Sequence, residues 1–259
     1  MTADALEPRL RAALTAASQA AYLLVACDFD GTLAPIVADR DAARALPASL
    51  DALGALTALR DTTVAVVSGR ALRDLAAVAH LPEGVLLVGS HGAEIDEQAQ
   101  GPDDEVIARR ELLIEAVREV TTGVGGVDLE PKPGGVAVHV RAAARADAER
   151  VLGALRSGPA RLAGVVAIAG KEVLELSVVA ADKGSALDLL RRRTTASTTV
   201  FLGDDITDET AFGRLTHDDV GVKVGPGTTA AEHRVPDPIV VVDALALLAT
   251  ERTAWLART

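Results

Sequence analysis

Five short apolar runs rich in β-branched residues set the strongest limit on how this chain can fold: Leu23–Cys27 (LLVAC), 64–67 (VAVV), 85–88 (VLLV), 199–202 (TVFL) and 239–242 (IVVV). Runs this short and this continuously apolar predict strands covered on both faces, as in a parallel sheet. Helical patterns separate them: Leu50, Leu53, Leu56 and Leu59 recur along one segment, and Ala186, Leu187 and Leu190 share a face of 183–193. Strand and helix alternating in this way predict an open, doubly wound α/β sheet, whose ligands sit beyond the carboxyl ends of the strands.

The stretch 94–180 reads differently. A helical pattern over 103–120 is followed by alternating segments at 127–130 and 136–141, a second helix over 145–156, and further segments at 165–168 and 173–178. Turn residues punctuate it, among them Pro131, Pro133, Gly134, Gly135, Gly158 and Pro159, which suggests an antiparallel sheet backed by helices. The expected organisation is therefore a core made of 1–93 and 181–259, with 94–180 inserted as an α+β domain; 259 residues suffice for two modest domains.

Charge and cysteine usage narrow the partners. A net charge of −11 argues against a nucleic-acid or anionic-membrane surface, which is bound through clustered positive charge. The longest uncharged stretch, 12–27, carries Thr15, Ser18 and Gln19 and falls short of the roughly 20 apolar residues of a membrane span. Cys27 is the only cysteine, so no intramolecular disulfide can form. A monomeric cytoplasmic protein acting on a small ligand is the expectation.

The chemistry concentrates just after the apolar runs. Asp28-Phe29-Asp30-Gly31-Thr32-Leu33 follows the first, and Gly203-Asp204-Asp205-Ile206-Thr207-Asp208-Glu209 follows another. Carboxylates at the end of a buried strand are costly to desolvate unless paired, hydrogen-bonded or bound to a cation, and this many hard oxygen ligands suit Mg²⁺. Neither segment has the alternating ligands of an EF-hand calcium loop. Ser68-Gly69-Arg70 follows the run 64–67 and opens a helical segment, a place where a hydroxyl and main-chain N–H groups can seat a phosphate. Lys183-Gly184 opens a core helix, where a lysine opposes the helix dipole. Taken singly, Asp-x-Asp reads as a turn and Ser68 as a helix cap. Together they point to metal-assisted phosphate chemistry.

In this order the four pieces resemble the haloacid dehalogenase superfamily of phosphotransferases. The interval from Asp28 to Ser68 leaves no room for an inserted domain and that from Ser68 to Lys183 does, which resembles the C2-capped branch: a Rossmann-like core with an α+β cap. Within that branch the chain is similar to the trehalose-6-phosphate phosphatases. The further motifs are Gly89-Ser90-His91-Gly92-Ala93-Glu94, Glu130-Pro131-Lys132 with His139-Val140-Arg141, and Gly170-Lys171-Glu172-Val173-Leu174-Glu175. The resemblance implies a Mg²⁺-dependent phosphatase for a small sugar phosphate. It makes Asp28 the nucleophile, Asp30 the general acid and base, and Ser68 and Lys183 the phosphate contacts. The cation falls to Asp28, the main-chain carbonyl of Asp30 and Asp204, supported by Asp205 and Asp208. The sugar falls to Arg70, His91, Glu130, Lys132, Arg141 and Glu175. The family often has a basic residue and a proline where this chain has Ser177 and Val178, a departure that keeps the spacing to Lys183. Competing readings are a phosphatase for sucrose or glucosylglycerol phosphate, a mutase-like phosphoryl transferase, and a catalytically silent regulatory copy.

Overall fold

The computed structural model describes residues 6–95, 104–132, 134–170, 172–178 and 182–259. Lys171 of the third motif and the chain at the expected 181 junction lie outside the described residues. Two compact units emerge, one made of Met1–Asp96 with Ala181–Thr259 and the other of Glu97–Ala180.

The first unit is built on a seven-stranded sheet. In chain order it comprises α1 (Pro8–Ala17), β1 (Leu23–Cys27), α2 (Pro47–Thr57), β2 (Thr62–Val67), α3 (Leu72–Ala79), β3 (Leu86–Gly89) and β4 (Glu94–Ile95). After the second unit, with its helices α4 (Asp104–Thr121) and α5 (Arg145–Ser157) and strands β5 (Asp128–Lys132), β6 (Gly135–His139), β7 (Val166–Gly170) and β8 (Val173–Ser177), the first resumes. It continues with α6 (Lys183–Thr194), β9 (Thr198–Gly203), α7 (Glu209–Phe212), β10 (Val220–Val224), β11 (His233–Val235) and α8 (Pro238–Leu256).

The strand order is β11-β10-β9-β1-β2-β3-β4, parallel throughout except for β4, which runs against β3. Both faces are covered, as the unbroken apolar runs require. Leu23, Val25 and Cys27 of β1 join the core with Leu10 and Leu14 of α1, Leu53 and Leu56 of α2 and Leu245 and Leu248 of α8. Leu24 and Ala26 point the other way, toward Leu187 and Leu190 of α6 and Phe212 of α7. The period-two alternation of a strand thus divides one apolar run between two cores.

The run at 239–242 is a correction: it is helical, not a strand. The Asp237 carboxylate caps the helix by accepting from Ile239 N (2.9 Å) and Val240 N (3.2 Å), and Pro238 occupies the first turn. Its place in the sheet is taken by β10, whose sequence VGVKV hides a buried strand behind a glycine and a lysine.

Arg252, fully buried on α8, fastens the amino-terminal edge of this sheet. Its guanidinium donates to the carbonyls of Ser18 (3.0 Å), Ala20 and Asp61 (2.8 Å) and to Thr62 Oγ1 (3.1 Å), and lies over the Trp255 ring. Arg252→Met should strand these acceptors and cost about 2–4 kcal/mol, a fall in Tm of roughly 5–10 °C, with kcat unchanged. A Tm within a degree or so of the parent would contradict this account of the edge.

In the second unit β5-β6-β8-β7 form an antiparallel sheet. Val136 and Val138 of β6 and Leu174 and Leu176 of β8 pack with Leu113 and Val117 of α4 and Val151 and Leu155 of α5. The alternate positions of these strands, carrying Glu130, Lys132, His139 and Glu175, lie on the face away from the helices.

Candidate active site

Register brings the reactive residues together. Cys27, the last residue of β1, is level with Val66 of β2 and Leu202 of β9, so Asp28, Ser68 and Asp204 leave three adjacent strands at one edge. A cavity of about 620 Å³ opens there, lined by Asp28, Asp30, Ser68, Arg70, His91, Lys183, Asp204 and Asp205, with Ile36, Val37, Gly69 and Thr207. Asp208 lies beneath, fully buried.

Lys183 is 2 % exposed, with its ammonium 2.9 Å from Asp28 Oδ1 and 2.8 Å from Asp208 Oδ1. The helix that begins with it is capped reciprocally: Asp182 accepts from Ser185 N (2.7 Å) and Ser185 Oγ from Asp182 N (2.9 Å). That acidic cap, with the two partner carboxylates, makes a lysine tolerable against the dipole. Burial alone would lower Lys183, but Asp28 and Asp208 outweigh it and hold the ammonium above its ordinary value.

The carboxylates are strained electrostatically. Burial pushes Asp28 upward and, despite the opposing pull of Lys183, it stays raised, with Asp208 adding to the effect. Burial also raises Asp204, helped by Asp208. Asp28, Asp204 and Asp208 each offer an oxygen within 4.8 Å of the others. Both Asp208 oxygens are already used, Oδ1 by Lys183 and Oδ2 by Asp205 N (2.9 Å). Asp204 Oδ1, in contrast, is buried and has no hydrogen-bond partner among the described residues. An orphaned, desolvated carboxylate oxygen beside a second raised carboxylate fits a divalent cation.

Ser68 is buried, and its Oγ accepts from Arg70 N (3.2 Å). Arg70, also buried, forks onto Asp30 through Nε to Oδ2 (2.6 Å) and Nη2 to Oδ1 (2.7 Å), and lies over the Phe29 ring. Ser90 and His91 both adopt left-handed backbone, φ 47° and 56°. The Glu94 carboxylate braces this turn by accepting from Ser90 Oγ and from Leu72 N (3.1 Å), and the His91 ring lies so close to Gly69 that a Cβ there would come within 2.4 Å of it.

Of the residues expected to meet the sugar, Arg70 and His91 line the cavity. The others belong to the second unit, where Glu130 and Glu175 sit on one rung of the sheet, each opposite Ala137. Lys132 Nζ is 3.6 Å from Glu175, His139 Nε2 is 3.0 Å from Glu130, and the exposed Arg141 is 3.9 Å from Glu172. Sequence reasoning missed Ile36 and Val37 at the cavity and Lys223 behind it. A lone lysine inside the apolar run at 220–224 was the signal for the last.

A parallel sheet that presents Asp-x-Asp, Ser, Lys and an acidic cluster at one carboxyl edge has the makeup of a haloacid dehalogenase-type phosphotransferase. Comparison with known proteins narrows this. The trehalose-phosphatase family profile matches residues 26–237, and the chain belongs to that family. It is 41% identical over 196 residues to the trehalose-phosphate phosphatases of Mycobacterium bovis (BCG) and Mycobacterium tuberculosis (H37Rv), alignments that cover 71% of this chain and 49% of theirs. The chain thus spans about half the length of these curated relatives. Among solved structures, trehalose-6-phosphate phosphatase of Aspergillus fumigatus superposes with a TM-score of 0.68 at 27% identity, covering 95% of this chain and 98% of that one. No helix among the described residues is long and apolar enough to cross a membrane.

Proposed function

We propose that this chain hydrolyses trehalose 6-phosphate to trehalose and inorganic phosphate through an aspartyl-phosphate on Asp28, with Mg²⁺ as cofactor. The observation that carries this reading is the buried set Asp28, Lys183, Asp204 and Asp208 at one sheet edge, in a chain of the trehalose-phosphatase family.

Asp28 attacks the phosphorus in line, its carboxylate oxygen replacing the sugar oxygen; water then breaks the acyl phosphate and regenerates the carboxylate. Lys183 and the Ser68 hydroxyl hold the phosphate oxygens that do not react. Asp30 gives a proton to the departing sugar oxygen and takes one from the attacking water. Arg70 occupies both oxygens of that carboxyl, so Asp30 must turn one of them away to exchange a proton. On this reading Arg70 positions Asp30 and does not itself bind the sugar. Asp28, Asp204 and the Asp30 carbonyl would hold the cation, while Asp205 and Asp208 brace the loop and Lys183. When bound, the cation offsets the repulsion between the phosphate and the acidic cluster and orients the phosphate.

The second unit, residues 94–180 in our reading, serves as the cap that selects the sugar, through Glu130, Lys132, Arg141 and Glu175, while His91 meets the sugar from the cavity wall. The test is Mg²⁺-dependent phosphate release from trehalose 6-phosphate, sucrose 6-phosphate, glucose 6-phosphate and glucosylglycerol phosphate. A kcat/KM favouring trehalose 6-phosphate supports the assignment. Preference for another sugar phosphate retains the core chemistry and rejects the cap assignment, and no turnover at all returns the reading to a silent regulatory copy. Glu130→Ala and Arg141→Ala should raise KM for the disaccharide phosphate more than for p-nitrophenyl phosphate.

Protons and the cation compete for Asp28 and Asp204. Their raised values mean that, without metal, the folded chain binds more protons than the unfolded one above the ordinary carboxylate range near pH 4, so these groups destabilise it increasingly as pH rises. Metal binding relieves this. The rise in Tm on adding Mg²⁺ should therefore be larger at about pH 8 than at about pH 5.5. An equal rise at both would contradict the assigned ligands.

A further inference from the structure

β9 ends at Gly203, and the Lys223–Gly203 pair is the last rung between β10 and β9, so beyond it the sheet no longer fixes the main chain. Asp204, the next residue, must nevertheless aim its carboxylate accurately. Its Oδ1 has no hydrogen-bond partner among the described residues, and its side chain meets Asp28, itself a proposed ligand of the cation. The main chain is instead held from behind. Lys223, 4 % exposed, donates its ammonium to the Asp204 carbonyl and lies 3.9 Å from Glu209 Oε1. The other Glu209 oxygen accepts from Ala230 N (2.8 Å), which anchors the partner in turn.

A buried ammonium is costly unless its protons find acceptors, and here it is placed against a main-chain carbonyl at the point where the ladder stops. The chain draws 26 basic residues almost wholly from arginine and has lysine at only four positions. A compact ammonium can sit between one carbonyl and one carboxylate where a planar guanidinium needs more room. We infer that Lys223 is a positioning residue for the cation site: it holds the Asp204 carbonyl and thereby fixes where the Asp204 carboxylate points. The inference rests on the cation site proposed above and is independent of which sugar phosphate is turned over.

Two roles for Lys223 predict opposite signs. If it acted only as a nearby positive charge, removing it would strengthen cation binding, because the ammonium repels the cation. If it positions Asp204, removing it weakens binding, as loss of groups that orient metal ligands does, by about 10- to 100-fold. The experiment is calorimetric titration of Mn²⁺ into the full chain and into Lys223→Met, without substrate, with metal-free Tm as the check on folding. The expected result is a Kd about 10-fold or more above the parent's, and p-nitrophenyl phosphate turnover that recovers toward the parent's as Mn²⁺ is raised. A folded variant with unchanged or tighter Mn²⁺ binding overturns the inference. If the parent itself shows no saturable Mn²⁺ binding, the cation site fails and the inference with it. Should Lys223→Met not fold, Lys223→Leu, which likewise removes both the charge and the donor to the Asp204 carbonyl, carries the same test; failure of both to fold assigns Lys223 to the fold and overturns the positioning role.

Discussion

Asp28→Asn should lower kcat by at least about 10⁴-fold on trehalose 6-phosphate and on p-nitrophenyl phosphate alike, while the metal-free Tm stays level or rises. The first effect follows from chemistry, since the amide oxygen is a poor nucleophile and cannot form an acyl phosphate that water then clears. The second follows from the electrostatics of the cluster. Burial holds Asp28 raised, with Asp208 adding to the effect, so a neutral isostere removes a desolvation cost and a repulsion, and Lys183 keeps a partner in Asp208 at 2.8 Å. Turnover above the level of a contaminating phosphatase would exclude the covalent route. A large drop in Tm would mean that the Lys183–Asp28 contact at 2.9 Å holds the fold together, contrary to the balance argued here.

Gly31→Ala should also be strongly damaging, although the residue takes no part in the chemistry. Gly31 has φ +80°, and a Cβ built on it would lie 2.0 Å from Asp204 Oδ2 and 2.3 Å from Asp204 Cγ. Left-handed backbone costs an alanine roughly 1–2 kcal/mol, and the methyl group also forces the Asp204 carboxylate out of its position. We expect at least about a 10²-fold loss in kcat/KM at fixed Mg²⁺ together with weakened Mn²⁺ binding by calorimetry. Intact Mn²⁺ affinity in the folded variant would show that Asp204 does not hold the cation.

The strand that ends at Cys27 was legible to the residue, because LLVAC is short, wholly apolar and closed by the Asp28 carboxylate. The run at 239–242 misled, since apolar periodicity alone cannot separate a buried strand from a buried helix; the capping Asp237 and Pro238 before it were the deciding signal. β10 was hidden by Gly221 and Lys223, and Lys223 is there because its ammonium serves Asp204 across the ladder. Residues directly after apolar runs were readable as site residues because position at a strand end is a local property. The Arg70 fork on Asp30, 40 positions away, was not, and neither was the Lys223 contact with Asp204. Both depend on which strands lie side by side, which the order of the runs along the chain does not encode.

The shared level at which β9, β1 and β2 end has a consequence for how the chain can vary in length. One residue added within any of these strands would advance its reactive side chain by about 3.3 Å and turn it to the opposite face. The same residue added between a reactive side chain and the next strand leaves the level of the three ends untouched. Between Ser90 and Lys183 the chain accommodates an entire second unit, Glu97–Ala180, while Asp28, Ser68 and Asp204 keep their common edge. Length can therefore change in the connection between Glu94 and Asp182, which carries none of the three strand ends, while β1, β2 and β9, of five or six residues each, must keep theirs.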